Sequence, residues 1–108
     1  MPQSLHDILK KYVEDVRKLY GDHLKTVILY GSYAREDFRP DSDIDMMILV
    51  GLNEQEIKLE DRRLSTMTFE YDLNIMPIVK NIDHFNKWLR AYPFYYNVKK
   101  EGVELYAT

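Results

Sequence analysis

The sequence predicts a single α/β domain in which helices cover a small mixed β-sheet. Three observations favour this fold class: an amphipathic helical pattern near the start, short apolar runs with strand character, and further helical patterns between those runs. The chain has 108 residues, of which 45% are hydrophobic and 31% are charged, as in an ordinary globular protein. A chain of this length builds one core, so we expect one domain over residues 1–108.

The first predicted elements are a helix and a central strand. Apolar side chains recur at helical spacing over residues 5–20, with Ser4 as the expected N-cap and Gly21 as the stop. Residues 26–30 follow as a β-branched segment that is apolar on both faces. A strand of this kind is typical of the middle of a covered sheet.

Two more strands are predicted further along the chain. Residues 43–50 and 69–79 have strand character, and the second of these segments is expected to end near Pro77. The connection between the first two strands is compatible with a short helix over residues 32–35. It also carries a turn signal over residues 39–42.

The remaining segments are predicted as helices and one terminal strand. A mostly polar helix is expected over residues 54–65, and an amphipathic helix over residues 85–92. Pro93 is placed to begin a last short helix that Gly102 ends. Residues 103–106 then have the composition of a short final strand.

Composition limits the classes of function. The chain has no cysteine, which excludes disulfides, thiolate nucleophiles and cysteine-type zinc sites. Its formal net charge is −3, so it lacks the excess of positive charge that is typical of a domain that binds long DNA or RNA by itself. No stretch approaches the roughly 20 apolar residues that span a bilayer, and no apolar signal region is present. We therefore expect a cytoplasmic protein without membrane contact, and its oligomeric state stays open.

Asp43 and Asp45 lie at the N-terminal end of the second predicted strand. Residues two apart on a strand point to the same face, with α-carbons about 6.6 Å apart, so the two carboxylates can converge on one cation. Hard oxygen ligands of this kind suit Mg²⁺. Alternatively, Asp43 is a turn or capping residue and Asp45 is simply exposed. The apolar remainder of the strand favours the metal site, because an internal strand rarely ends in two unneutralised carboxylates.

A third carboxylate is expected from the third predicted strand. Asp72 lies among apolar neighbours, and Glu70 and Asn74 share its face if the segment is extended. If this strand lies beside the second one, Asp72 reaches the same metal site. Glu70 is the alternative third carboxylate. The alternative is that Asp72 is an ordinary surface charge.

The turn after the first strand has the residues of a phosphate-binding site. Gly31 lets the backbone approach a ligand, and Ser32 adds a hydroxyl donor where a short helix begins. Arg35 and Arg39 are nearby cations that suit phosphate oxygens. A glycine–serine pair after a strand is usually only a turn. It becomes informative here because an acidic pair follows on the next strand.

These motifs carry a family resemblance. Gly31-Ser32, ten intervening residues and Asp43-Ile44-Asp45 resemble the signature of the DNA polymerase β-type nucleotidyltransferase superfamily. More narrowly, GSYAREDFRPDSDID is similar to the minimal nucleotidyltransferases, the MNT family. The segments YDLNIMPIV and PFYYNVKKEGVELYA are similar to that family's third-carboxylate strand and to the ending of many of its members.

The resemblance implies a polymerase β-like nucleotidyltransferase fold and an activity. Members transfer a nucleoside monophosphate, often AMP from ATP, to an acceptor hydroxyl. By the resemblance, Asp43 and Asp45 hold two Mg²⁺ ions, Asp72 completes the site, and the Gly31-Ser32 turn cradles the β- and γ-phosphates.

The resemblance also implies a partner. Many MNT proteins pair with a HEPN-domain toxin, for which they serve as antitoxins, and some adenylylate it. The alternatives are an antitoxin that acts by contact alone and a small-molecule nucleotidyltransferase of the aminoglycoside type. Glu36, which stands where members often have glycine, keeps the contact-only alternative open. The nucleotide and the acceptor residue stay undetermined.

Overall fold

The computed structural model describes residues 3–108 and contains a four-stranded sheet with helices on both faces. The elements, in chain order, are α1 Gln3–Tyr20, β1 Leu24–Tyr30, α2 Ser32–Arg35, β2 Ile44–Val50, α3 Glu54–Phe69, β3 Ile75–Asn81, α4 Ile82–Lys87, α5 Pro93–Glu101 and β4 Val103–Ala107. One 3₁₀ turn, Gly21–His23, joins α1 to β1. The predicted class, a mixed sheet flanked by helices, is confirmed.

The sheet has the strand order β3-β2-β1-β4, so the hairpin of β1 and β2 forms its centre. The two strands are antiparallel, with Tyr30 opposite Asp45, while β3 runs parallel to β2, with Met76 beside Asp45. The end of β1 and the starts of β2 and β3 therefore meet at one edge of the sheet. The acidic residues predicted to lead β2 lie at this edge.

Each face of the sheet packs against its own set of helices. Because strand residues alternate, Met46 and Ile48 of β2 join a core with α1 and α3, whereas Met47 and Leu49 join a core with α4 and α5. These four side chains are at most 3% exposed. Burial on both faces is the reason that the sequence of β2 is apolar throughout.

Two predicted boundaries on the third strand and its preceding helix are wrong. The helix expected over residues 54–65 continues to Phe69, and the strand expected over residues 69–79 begins only at Ile75. The aromatic and β-branched residues near Phe69 favour a strand locally, but Thr68 is buried and its hydroxyl lies 2.7 Å from the Tyr12 hydroxyl of α1. Tertiary packing against α1 thus holds the last turn of α3 in helical form.

Two smaller expectations also fail. Ser4 lies inside α1, which already includes Gln3, so Ser4 is not the N-cap of that helix. The helix predicted over residues 85–92 ends at Lys87, and the chain turns before α5 begins at Pro93. No helix within residues 3–108 has the length and apolarity needed to cross a membrane.

Candidate active site

A cleft of about 450 Å³ opens at the sheet edge where β1 ends and β2 begins. Three parts of the chain line it: the β1–α2 turn, the start of β2, and one side of α5. Its lining residues are Tyr30, Gly31, Ser32, Arg35, Ser42, Asp43, Asp45, Phe94, Asn97, Val98 and Glu101. Seven of these, including both aspartates and the glycine–serine pair, lie within residues 30–45.

Gly31 is the residue on which the cleft geometry depends most directly. Its backbone has φ 75° and ψ −153°, a conformation that is essentially restricted to glycine. A Cβ atom added to Gly31 would overlap the Oδ2 atom of Asp45 and would lie 3.2 Å from its Cγ. The missing side chain is therefore what allows the Asp45 carboxylate to lie against the β1–α2 turn.

The turn leads directly into α2, the short helix that begins at Ser32. The Gly31 carbonyl accepts hydrogen bonds from the N–H groups of Ala34 and Arg35, both at 3.1 Å. The first N–H groups of any helix have no partner within that helix. Ser32 is the first residue of α2 and lines the cleft, and its contact with a phosphate stays a prediction.

Asp43 and Asp45 both line the cleft, as their two-residue spacing predicts. Asp43 is exposed just before β2, whereas Asp45 is partly buried within it, opposite Tyr30. Desolvation raises the pKa of the Asp45 carboxyl above its ordinary value, and the charge of Asp43 raises it further, while Arg35 acts in the opposite direction. The structure thus contains two carboxylates whose mutual repulsion a cation would relieve.

The two arginines named by the sequence have different positions. Arg35 lines the cleft and forms ion pairs with Asp37 at 3.3 Å and with Glu101 at 3.7 Å. Arg39 is exposed and does not line the cleft; its backbone N–H donates to the Ser42 hydroxyl at 2.8 Å. Only Arg35 is therefore placed beside the carboxylates.

Asp72 does not lie on a strand, and this part of the sequence interpretation is corrected. It is an exposed residue in the turn between α3 and β3, with φ 47°, and it lines a neighbouring depression rather than the cleft. Glu70 is the exposed C-cap of α3 and does not line the cleft either. The β3 residue beside Asp45 is Met76, and Asn74 lies just before the strand.

The sequence interpretation missed the wall that α5 contributes. Phe94, Asn97 and Glu101 line the cleft from this helix, and Tyr30 lines it from the end of β1. Their i, i+3 and i+7 spacing places the three α5 residues on one helical face. With Pro93 as the start of the helix, the sequence predicts that these three residues share one face of α5. It does not indicate which part of the domain that face contacts.

Comparison with known proteins decides the family. A family model described as the nucleotidyltransferase domain matches residues 9–103. The chain belongs to this nucleotidyltransferase family. A Methanocaldococcus jannaschii relative named "Putative protein adenylyltransferase MJ0141" is 33% identical over 103 residues, which make up 92% of this chain and 96% of that protein.

Solved structures support the nucleotidyltransferase fold. A crystal structure described as a "putative nucleotidyltransferase from Sulfolobus solfataricus" aligns with a TM-score of 0.63 and 23% identity, covering 94% of this chain and 78% of the other. A "toxin-antitoxin with AMP-PNP" structure aligns with a TM-score of 0.59 and 18% identity, covering 92% and 73%. At these identities the likeness concerns the fold.

Glu36 lies at the end of α2 and outside the cleft. Glu36 is the C-cap of α2 and has the left-handed conformation, with φ 63° and ψ 24°. Its side chain is exposed and does not line the cleft. The left-handed backbone at this position favours glycine, and the carboxylate of Glu36 does not line the cleft.

We expect Glu36→Gly to raise the free energy of unfolding by about 0.5–1 kcal/mol, because left-handed strain on a residue with a Cβ exceeds the entropic cost of glycine. Thermal unfolding followed by circular dichroism measures the effect. Glu36→Ala is the matched control, since it removes the same carboxylate and keeps the strain. Equal stability of the two variants would contradict the backbone explanation.

The carboxylate end of the cleft fits a hard divalent cation such as Mg²⁺. Asp43 and Asp45 offer oxygen ligands on one side of the cleft, and Gly31 leaves the Asp45 carboxylate accessible. Within residues 3–108, no three histidine, aspartate or glutamate side chains form a group that would hold a metal alone. Substrate phosphates and water supply further oxygen ligands in many Mg²⁺ sites.

The raised pKa of Asp45 gives a stability prediction for the metal-free protein. A carboxyl with a raised pKa binds its proton more tightly when folded, so its contribution to folding is lost as pH rises through the interval between 3.8 and the folded pKa. We expect Asp45→Asn to gain stability relative to the wild type across that interval. Urea unfolding of both proteins in EDTA, at a series of pH values, measures the difference; parallel curves would contradict it.

Proposed function

We propose that this nucleotidyltransferase transfers AMP from ATP to a hydroxyl group of a protein partner, in a Mg²⁺-dependent reaction. The observation that carries the proposal is the convergence of the Asp43–Asp45 pair and the Gly31-Ser32 turn on one cleft. Metal ligands and phosphate donors at a single site are what a metal–triphosphate substrate requires. The relative named as a protein adenylyltransferase supports both the adenylyl group and the protein acceptor.

In this proposal the β1–α2 turn binds the triphosphate tail. The backbone N–H groups at the start of α2 and the Ser32 hydroxyl donate to the β- and γ-phosphates. Arg35 lines the same cleft, and its guanidinium forms an ion pair with Glu101 at 3.7 Å. Arg39 is exposed outside the cleft, so its predicted phosphate contact has no support from its placement.

Asp43 and Asp45 would hold the metal, two Mg²⁺ ions by the family resemblance, with phosphate oxygens and water as further ligands. When bound, the metal supplies Lewis-acid stabilisation of the charge on the α-phosphate and on the leaving group. The oxygen of the acceptor hydroxyl forms a bond to the α-phosphorus and its proton is released to water, while the bond from the α-phosphorus to the α–β bridging oxygen breaks and pyrophosphate leaves. The residues act by position and charge, so no cysteine or histidine nucleophile is needed.

The partner that we propose is a HEPN-domain toxin, with this chain as its antitoxin. The resemblance to MNT proteins points to this partner, and the toxin–antitoxin structure with AMP-PNP shares the fold.

The Asp72 side chain lies outside the cleft, so we leave it out of the proposed metal ligands.

The test is transfer of label from [α-³²P]ATP, in the presence of Mg²⁺, to the product of the neighbouring gene once that product is identified as a HEPN-domain protein. We expect the partner to gain label and the mass of one AMP group. The double variant Asp43→Asn, Asp45→Asn should leave the partner unlabelled. A partner that stays unmodified by the wild type, beside an active control enzyme, would contradict the proposal.

A second candidate function is an antitoxin that acts by contact alone. It is favoured by one observation: Asp72, the third carboxylate that the sequence assigned to the metal site, is exposed and lies outside the cleft. This candidate requires that the double aspartate variant still silence the partner's toxicity in cells. The enzymatic proposal requires that the same variant fail to do so while still binding the partner.

A further inference from the structure

One wall of the cleft belongs to α5, and core packing holds this helix in place. Tyr95 and Val98 are 5% and 1% exposed and join the core with β1 and β2. At the end of the helix, a Cβ atom added to Gly102 would overlap both Ile28 and the Val98 carbonyl. This close contact with β1 leaves the remaining face of α5 in a defined position against the cleft.

Phe94 presents apolar surface to the cleft. Its side chain is 44% exposed although it is large and aromatic, and it lines the cleft at the first turn of α5. Its ring packs against Tyr30 with centroids 5.6 Å apart and planes at 77°. An aromatic ring that is supported from one side and open to a cleft is suited to stack on another planar ring.

Asn97 lies one helical turn further along and also lines the cleft. Within residues 3–108 its side-chain amide makes no hydrogen bond, so both its donor and its acceptor are available to a ligand. A side-chain amide pairs with the N6 amino group and N7 of adenine. Guanine presents two acceptors, O6 and N7, on that edge, so one half of the amide would be left unmatched.

We propose that α5 forms the nucleobase subsite of this cleft, in which adenine stacks on Phe94 and its N6–N7 edge binds the Asn97 amide. The proposal rests on the proposed function, because the base belongs to the triphosphate that the carboxylate end would hold. Phe94 and Asn97 stand i and i+3 on one helical face, so a single planar base meets both. Phe94 provides affinity for a base of any kind, and Asn97 determines the preference for adenine.

Isothermal titration of ATP, GTP and 7-deaza-ATP, which lacks N7, tests the subsite by binding and without turnover. We expect the wild type with Mg²⁺ to bind ATP about 5- to 10-fold more tightly than 7-deaza-ATP, the effect of one hydrogen bond. Asn97→Ala should bind the two equally and should also lose most of its preference over GTP. Phe94→Leu should weaken all three by about 5-fold or more, as expected for a lost stacking platform.

Two matched controls lie outside the cleft. Tyr96 is 48% exposed on the same helix, and Asn86 is exposed on α4, so Tyr96→Leu and Asn86→Ala should leave all three affinities unchanged. Circular dichroism verifies that each variant folds. If Asn97→Ala keeps the wild-type ratio of ATP to 7-deaza-ATP affinity, the assignment of Asn97 is overturned.

The outcomes separate this inference from the proposed function. If AMP transfer requires Asp43 and Asp45 while the Phe94 and Asn97 variants bind all three nucleotides as the wild type does, the base subsite is wrong and the transferase proposal stands. If the wild type binds none of the three nucleotides in the presence of Mg²⁺, both are wrong.

Discussion

Asp45→Asn is expected to reduce the proposed AMP transfer by at least about 100-fold, because it removes the charge of a proposed metal ligand while keeping the size of the side chain. The partly buried position of Asp45 and its proximity to Asp43 give this change a second consequence. Removing one of two repelling charges should stabilise the metal-free protein at neutral pH. A carboxylate that serves the reaction should show loss of activity together with a gain in stability, whereas a carboxylate that stabilises the fold should show a loss of stability when it is replaced.

Asp72→Asn is the matched control for this prediction. It is the same chemical change at the carboxylate that the sequence also proposed as a ligand, and asparagine tolerates the left-handed backbone found there, with φ 47°. Because Asp72 is exposed and outside the cleft, we expect activity and Mg²⁺ dependence to stay within about twofold of the wild type. Activity is measured as label transferred from [α-³²P]ATP over a Mg²⁺ titration. A loss at Asp72 equal to that at Asp45 would show that the third carboxylate acts in the site after all.

Gly31→Ala is expected to lower the free energy of unfolding by about 2–4 kcal/mol and to abolish AMP transfer. Two costs add: the backbone of Gly31 has a conformation that L-residues avoid, and the new Cβ would overlap the Asp45 carboxylate. Relief of the overlap must move either the turn that begins α2 or the Asp45 side chain. Both belong to the cleft, so catalysis fails even at temperatures where the variant is folded.

Gly21→Ala separates backbone strain from the loss of the site. Gly21 also has a positive φ, 59°, but a Cβ added there has no atom within 4 Å. We therefore expect a cost of about 1 kcal/mol with full activity below the unfolding transition. Urea unfolding gives the stabilities, and transfer assays at a temperature where both variants are folded give the activities. Equal activity of the two variants would contradict the role assigned to Gly31.

The comparison of β2 with β3 shows which parts of the fold the sequence predicts reliably. In β2 the apolar run from Met46 to Val50 predicts burial on both faces, and all five residues are buried. Around β3 the local preference of Phe69 and Tyr71 for extended structure loses to the packing of Thr68 against Tyr12. The helix therefore runs to Phe69, and Asp72 falls in a turn instead of on a strand.

The sequence by itself determined one half of the candidate site. Gly31, Ser32, Asp43 and Asp45 lie within 15 residues, and a hairpin of two apolar strands brings such a segment together by local geometry alone. Only the tertiary structure decided the other half. Whether Phe94 and Asn97 meet the cleft depends on how α5 packs on β1, through contacts between residues more than 60 positions apart in the chain. Such packing is set by the fit of many buried side chains at once, and residue spacing within one helix does not contain that information.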